Sequence, residues 1–557
     1  MEPIISYGSA SNGIAYRLDL TPRNTLKWTI AGGAPYFNWG YEGRLQVATG
    51  RPTHVVADFD GSSIHVFVNG VLDLTKHIVG PIDYQSIAQG KVGLVIGGSV
   101  GKNDNTFAGA IADVALYSRT LSAAEISSHF HAMSSSSPTP APTVSPTTAP
   151  SATPVPSATP TGPSEMPKPA SAFIDSVGVV AHFPYQDSPY FRMPNAYINL
   201  IENLHSRSVR GEGNGSALEN GWFSSLCQRG VKHTLSFLVH ATPELIKQRI
   251  ALYGASCIDA VEPQNEYDAY SLNPAHPDPN WVDNIRSATR TLYNTVRSDP
   301  GNASITVLGP ALSSISRYSM LGNLEAFSDA GNEHDGTCDG SPLTHHYKNI
   351  VDKLAFMKAS YPTKPIWVGE TNYANNPATS GCAVSKEVAA KYVPRMFLER
   401  FNLGQPRTFY NEVSDDAAEG AGWGTLGLTD TNAQPYPAYD ALQSLLGVLP
   451  QERGGANLQP LAYAITGNAS NVHHTLLQGN DGRYYMVLWL DLDSWDVKAK
   501  RPLNPPAQSI TVSVPGNLHQ ASWYAPNGTF GMTESKSQIN GSITLNVSDG
   551  PGVLALK

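Results

Sequence analysis

Residues 258–266 read Ile-Asp-Ala-Val-Glu-Pro-Gln-Asn-Glu (IDAVEPQNE), a mostly apolar run that ends in an amide and a carboxylate. A short apolar run of this kind suits a buried strand. Polar groups set just beyond the end of such a strand lie where a parallel sheet presents its reactive side chains. The pattern returns in KPIWVGETNY (364–373), which sets Glu370 at the end of a second strand. The spacing between Glu266 and Glu370 accommodates three βα units of roughly 35 residues each. If both strands belong to one parallel sheet, two carboxylates share one rim.

The neighbouring sequence supplies the remaining strands. Apolar runs appear at VGVVAHF (177–183), SVRGEG (208–213), KHTLSFLV (232–239), ITVLGPAL (305–312) and RTFYNEV (407–413). A less regular one falls between Ala326 and His346, where AGNEHDG and THHYK compete for the position. Helical patterns such as WVDNIRSATRTLYNTVRSD and SKEVAAKYVPRMFLERFNLG lie between them. Eight strands alternating with helices over residues 171–450 predict a (β/α)8 TIM barrel. A doubly wound sheet is the alternative, but no G-x-G-x-x-G follows the first strand, and RGEGNGS is a Gly-rich turn.

The chain is multidomain by the same reasoning. Residues 133–170 are rich in Pro, Ser and Thr, with almost nothing apolar to bury, and predict a linker of extended polyproline-like character. Ahead of it, residues 1–132 predict an all-β unit. HVVADFDGSSIHVFVNGVL alternates on either side of Asp60-Gly61, and Asn69-Gly70 marks a second tight turn. A strand is expected over Ile111–Tyr117, then a short helix opened by Ser122. Residues 451–557 alternate as strands between Gly, Pro and Asn turns and predict an antiparallel β-sandwich with a stabilising role.

Composition limits the partners. Apolar residues make up 41% of the 557 and charged residues 15%; 37 basic against 46 acidic side chains give a net charge of −9. Without a basic patch, nucleic acid and anionic membrane are poor partners, and no apolar run is long enough to span a bilayer. Four cysteines without a C-x-x-C pair argue against zinc and permit two disulfides, with Cys227–Cys257 and Cys338–Cys382 the simplest of three pairings. That usage, with six Asn-x-Ser/Thr sequons, suits a secreted protein. MEPIISYGSA has neither a charged n-region nor an apolar h-region, so the N-terminus reads as that of a processed or trimmed chain. No Walker, H-E-x-x-H or serine-elbow motif is present, and no cofactor or metal is expected.

Two resemblances sharpen these expectations. FAGAIADVALYSRTLSAAEISSHF (107–130) resembles the last strand and following helix of laminin-G-like (concanavalin-like) jelly rolls. That resemblance implies one or two further strands ahead of residue 1, and carbohydrate binding or a structural role. Asn265-Glu266 after strand four and Glu370 after strand seven resemble the clan A retaining glycoside hydrolases. Arg210 after strand two and GLTDTNAQPYPAYDALQSLL (427–446) extend the likeness, whereas VEPQNEYD departs from the W-x-x-x-N-E-P of many members. The resemblance implies Glu266 as acid/base, Glu370 as nucleophile and Asn265 as donor to the substrate hydroxyl beside the reacting carbon. It gives Arg210 a supporting role beside Glu370.

Around this pair, His182 is a candidate for a sugar hydroxyl, while Tyr373, Tyr410, Glu412 and Trp423 follow strands seven and eight, where rings stack on sugars. His334, His345, His346 and Tyr347 compete to steady the nucleophile from strand six. The implied partner is a carbohydrate polymer or oligosaccharide. A catalytically silent carbohydrate-binding or adhesion protein, and a transglycosylase using the same two glutamates, are the alternatives.

Overall fold

The structure is a computed structural model. It describes the chain outside residues 1, 10–12, 33–36, 48–51, 61–62, 78–91, 100–101, 113, 118–119, 122–125, 127–163, 213–214, 344–349, 379 and 417–424. Two compact units divide it, residues 1–152 and 153–557.

In the first unit a five-stranded antiparallel sheet is built from residues 2–9, 13–20, 25–32, 37–46 and 92–96, and a three-stranded one from 55–59, 63–68 and 71–77. Alternation drives both. Leu18, Leu26, Trp28 and Ile30 of the larger sheet share a core with Ile64, Val66 and Val68 of the smaller. Asn69 and Gly70 both take positive φ (51° and 78°), as a two-residue type I′ hairpin requires. Among the described residues of Ile111–Tyr117, where a strand is expected, none forms. The described residues there pair with no neighbouring strand, and Val114, Leu116 and Tyr117 are exposed. Residues 122–125, where the helix opened by Ser122 was expected to begin, lie outside the described residues.

The second unit carries the expected parallel strands: β1 (Val177–Val180), β2 (Ser208–Glu212), β3 (Lys232–Phe237), β4 (Ile258–Pro263), β5 (Thr306–Val307), β6 (Gly331–Gly336), β7 (Ile366–Asn372) and β8 (Thr408–Tyr410). Their order is β5-β4-β3-β2-β1-β8-β7-β6. The sheet curls in TIM-like fashion, and a parallel bridge between Leu308 and Ala330 links its two edge strands. Strand six is GNEHDG rather than THHYK; residues 344–349, with His345, His346 and Tyr347, lie outside the described residues.

Several helices pack outside this sheet, among them α1 (Tyr267–Leu272), α2 (Trp281–Arg297), α3 (Lys386–Asn402) and α4 (Pro437–Val448). Helix α2 begins on Trp281 and buries Ile285, Leu292 and Val296, one stripe at helical spacing. Helix α3 is buried along nearly its whole length, because the C-terminal sheet covers its outer side.

That C-terminal region forms two sheets. Residues 168–169, 472–478, 484–490, 520–526, 532–538 and 552–556 make the larger, and 464–467, 508–513 and 542–547 the smaller. In the central strand, Met486, Leu488 and Leu490 face the core between the sheets, whereas Tyr485, Val487 and Trp489 join the core shared with α3 and α4. Both faces are buried, which explains the nearly continuous apolar run YYMVLWL. Residues 164–165 pair with 461–462 and residues 168–169 with 477–478, so the last residues of the predicted linker belong to this region.

Both disulfides take the simplest pairing. Cys227–Cys257 joins the helix after β2 to the start of β4, and Cys338–Cys382 joins the segment after β6 to that after β7. The second ties together the two strand ends that carry His334 and Glu370. Among the described residues no helix is long and apolar enough to cross a membrane.

Candidate active site

Strand alternation decides what reaches the mouth of the sheet. On β2, Arg210 and Glu212 are two residues apart and share a face; on β6, Asn332 and His334 share the inner face, while Glu333 and Asp335 point outward to Arg400 and Gln405. Glu370 stands near the end of β7, and Asn265 and Glu266 follow β4 directly.

Arg210 is the hub. Its Nη1 donates to Glu370 Oε1 at 2.6 Å, and its Nη2 donates to Asn265 Oδ1 at 2.7 Å and lies 2.7 Å from Glu262 Oε1. Glu262 also accepts from Asn332 Nδ2 at 2.6 Å. The planar guanidinium fork lets one buried cation serve three acceptors. Burial alone would weaken its hold on the proton; Glu262 and Glu370 outweigh that and keep it charged.

Glu370 accepts a second hydrogen bond, from Asn411 Nδ2 to Oε2 at 2.9 Å. Its burial favours the neutral acid, but His334, Arg210 and His182 outweigh it and hold the carboxyl below its ordinary range. Glu370 is therefore poised as the anion.

Glu266 takes the left-handed conformation (φ 41°, ψ 45°) at the start of α1. For a non-glycine residue this costs on the order of 1 kcal/mol, and the surrounding structure holds it there. The turn brings Glu266 Oε1 to 2.9 Å from His334 Nδ1, which also lies 3.8 Å from Glu370 Oε2. One donor atom from each of Glu266, His334 and Glu370 lies within 4.8 Å of the others. Such a set could hold a divalent ion, but the Arg210 guanidinium already sits against Glu370 and opposes a second cation there.

The packing leaves no room for a side chain at residue 369. A Cβ on Gly369 would stand 2.5 Å from Asn332 Oδ1 and 2.9 Å from His334 Nε2. Gly369→Ala must displace both side chains, which hold Glu262 and Glu266. We expect kcat/KM to fall by roughly 10- to 100-fold, the scale of a misplaced catalytic group. An unchanged rate in a folded variant contradicts this.

Beside the pair lies a second ionic group. His182 Nδ1 is 3.5 Å from Glu212 and its Nε2 is 3.9 Å from Glu412. Burial works against protonation of His182, yet the two carboxylates raise its pKa to about 9. Partial desolvation works against the charge on Glu212, but His182, Tyr185 and Arg210 lower it to about 2. Glu412 accepts from Tyr190 Oη at 2.7 Å; burial pushes it up to about 8, against the pull of His182 and with the help of Asp416.

His182 and Glu412 both have folded values above their ordinary 6.5 and 4.5. Raised folded values give stability that is present at low pH and lost as pH rises through them. Thermal midpoints are expected to fall from about pH 4.5 to 9, Glu412 losing its proton by about 8 and His182 by about 9, and less steeply in Glu412→Gln, which removes one of the two groups and one of the carboxylates that raise the other. Parallel curves for the two proteins contradict the assignment.

The candidate residues separate accordingly. Glu266, Glu370, Asn265, Arg210 and His334 converge. His182 lies nearby, with both ring nitrogens facing carboxylates, so it is an ion-pair partner before it is a sugar donor. Tyr373 is fully buried, its hydroxyl on the Gly340 carbonyl, and Tyr410 is packed beneath it; neither ring can stack on a sugar. Trp423 lies outside the described residues. Sequence reasoning missed Glu262, Asn332 and Asn411. The signal for Glu262 was a carboxylate inside an apolar strand; Asn411 adjoins Glu412 at the end of β8.

Comparison with known proteins gives one family-model match and several likenesses to solved structures. Residues 2–127 match the model of the concanavalin A-like lectin/glucanases superfamily. No curated protein sequence matches the chain. Among solved structures similar to it, a family 39 glycoside hydrolase from the gut symbiont Bacteroides cellulosilyticus WH2 is 13% identical, with a TM-score of 0.46 over 99% of this chain and 98% of the other. A family 17 β-1,3-glucanosyltransferase from Rhizomucor miehei is 12% identical, with a TM-score of 0.37 over 48% of this chain and 97% of the other. GH5_18 from Streptomyces cattleya is 14% identical, with a TM-score of 0.35 over 50% and 80%. At these scores the likenesses assign no role to any residue of this chain.

Proposed function

We propose that the chain is a secreted, retaining glycoside hydrolase with Glu370 as nucleophile and Glu266 as acid/base. The observation that carries this is the approach of the two carboxyl groups, oxygen to oxygen within 4.8 Å. A separation of about 5 Å suits direct attack by one carboxylate, whereas inverting pairs stand roughly 6.5–9.5 Å apart to admit a water. Two disulfides suit an oxidising, extracellular setting.

In the first step Glu370 Oε attacks the anomeric carbon as the bond to the leaving oxygen breaks, and Glu266 gives its proton to that oxygen. The glycosyl–Glu370 ester is then attacked by water, whose proton returns to Glu266. Arg210 and Asn411 keep Glu370 ionised and aimed. His334, between the two carboxylates, positions Glu266. Asn265 accepts from Arg210 through Oδ1, which leaves its Nδ2 to donate to a sugar hydroxyl.

The test is hydrolysis of a panel of aryl glycosides and plant, fungal and bacterial polysaccharides, with the first-formed anomer followed by NMR. Retention is expected; a product of inverted configuration contradicts the proposal. The same pair would serve transfer to a second sugar, and transfer products in the same spectra would identify that variant.

A further inference from the structure

We infer that the wall of the site formed by the ends of β1, β2 and β8 selects an uncharged sugar and rejects uronic acids, and that Glu212 sets this preference. The inference rests on the glycosidase proposal and adds to it a class of substrate.

Glu212 follows Arg210 by two residues on β2 and so projects to the same side, one step nearer the rim. Its side chain is 37% exposed. Tyr185 stands beside it, nearly half exposed, with one ring face stacked on His182 at 4.9 Å and 8°. An exposed ring next to carboxylates offers a sugar an apolar platform and strong acceptors for its hydroxyls.

Recognition of a uronic acid calls for the opposite arrangement, an arginine or lysine able to meet the sugar carboxylate. The cations acting on this wall are His182 and Arg210, and each is already bracketed by two carboxylates: Glu212 and Glu412 at 3.5 and 3.9 Å, and Glu262 and Glu370 at 2.7 and 2.6 Å. Asp416 adds a further exposed carboxylate that acts on His182 and Glu412. A substrate carboxylate entering here meets Glu212 and Asp416 without an unshared cation among the described residues of the wall. Like charges brought together in a partly dehydrated site are strongly unfavourable.

The experiment compares kcat/KM for matched aryl glycosides and aryl glycosiduronic acids, glucoside against glucuronide and galactoside against galacturonide. It uses the full chain, Glu212→Gln and Asp416→Asn. The wild type is expected to favour the neutral member of an accepted pair by at least about tenfold. Glu212→Gln should narrow that ratio severalfold, and Asp416→Asn should narrow it less. A uronide cleaved as well as its neutral counterpart by the wild type overturns the inference and leaves the glycosidase proposal standing. An unchanged ratio in folded Glu212→Gln overturns the part given to Glu212. Silence on every neutral and charged glycan overturns the glycosidase proposal itself, and the selectivity with it.

Discussion

Glu370→Gln is expected to lower kcat/KM on the best substrate by roughly 10⁵-fold or more, because the carboxylate proposed to form the covalent bond is gone. Gln keeps the shape and one acceptor oxygen for Arg210, whose charge Glu262 still compensates, so the fold should survive. Glu266→Gln is expected to cost less, about 10²- to 10⁴-fold, the usual range for a general acid/base. Its loss should shrink for substrates with good leaving groups, which need little protonation. External azide separates the roles further. With Glu370→Gly it should restore activity and give a glycosyl azide of inverted configuration; with Glu266→Ala it should give a retained one. Full activity in Glu370→Gln contradicts the nucleophile assignment.

The second large effect concerns Arg210. Its side chain and that of Glu262 are almost wholly buried, at 5% and 1% exposure, with Glu370 at 18%. Removing one partner of a buried ionic group leaves uncompensated charge and costs about 3–5 kcal/mol. Arg210→Met is therefore expected to lower the thermal midpoint sharply, and the loss should be greatest at neutral pH, where both glutamates would otherwise be charged. Arg210→Lys keeps one charge but not the fork that reaches Glu262, Glu370 and Asn265 together. It should fold better than Arg210→Met and still be a poor enzyme.

Its pH profile carries a signature that a stability defect would not produce. Arg210 is one of the groups that hold Glu370 below its ordinary value, after His334 and against burial. Weakening it raises that value, so the acidic limb of kcat/KM should move to higher pH. An acidic limb in the same place for wild type and Arg210→Lys contradicts the role given to Arg210.

How much of this was legible in the sequence depends on what each residue's position requires. Glu266 and Glu370 stand out because polar groups after apolar strand runs break the pattern that burial imposes. Seven of the eight strands could be placed for the same reason, whereas β6 could not be fixed. GNEHDG carries polar residues on both faces, Asn332 and His334 inward and Glu333 and Asp335 outward onto Arg400, so it lacks the apolar signal of a parallel strand.

Tyr373 illustrates a different limit. A tyrosine after a strand end suits a sugar platform or a core position equally well in sequence. Only the packing of Tyr373 against Tyr392, with its hydroxyl on Gly340, decides for the core. Glu262 was hidden inside an otherwise apolar strand, since the sequence does not show that Arg210 and Asn332 meet it. The central C-terminal strand is apolar throughout rather than alternating, because α3 and α4 cover one of its faces and the second sheet covers the other.

The most direct test of the central claim is to incubate the protein with a panel of activated 2-deoxy-2-fluoro glycosides, in which the second step is slowed, and to map the labelled peptide by mass spectrometry. A mass increase of one fluoroglycosyl group on Glu370, absent in Glu370→Gln, is the predicted result. A label carried by Glu266 or any other residue, or turnover of the parent substrate with inversion and no label at all, would contradict it.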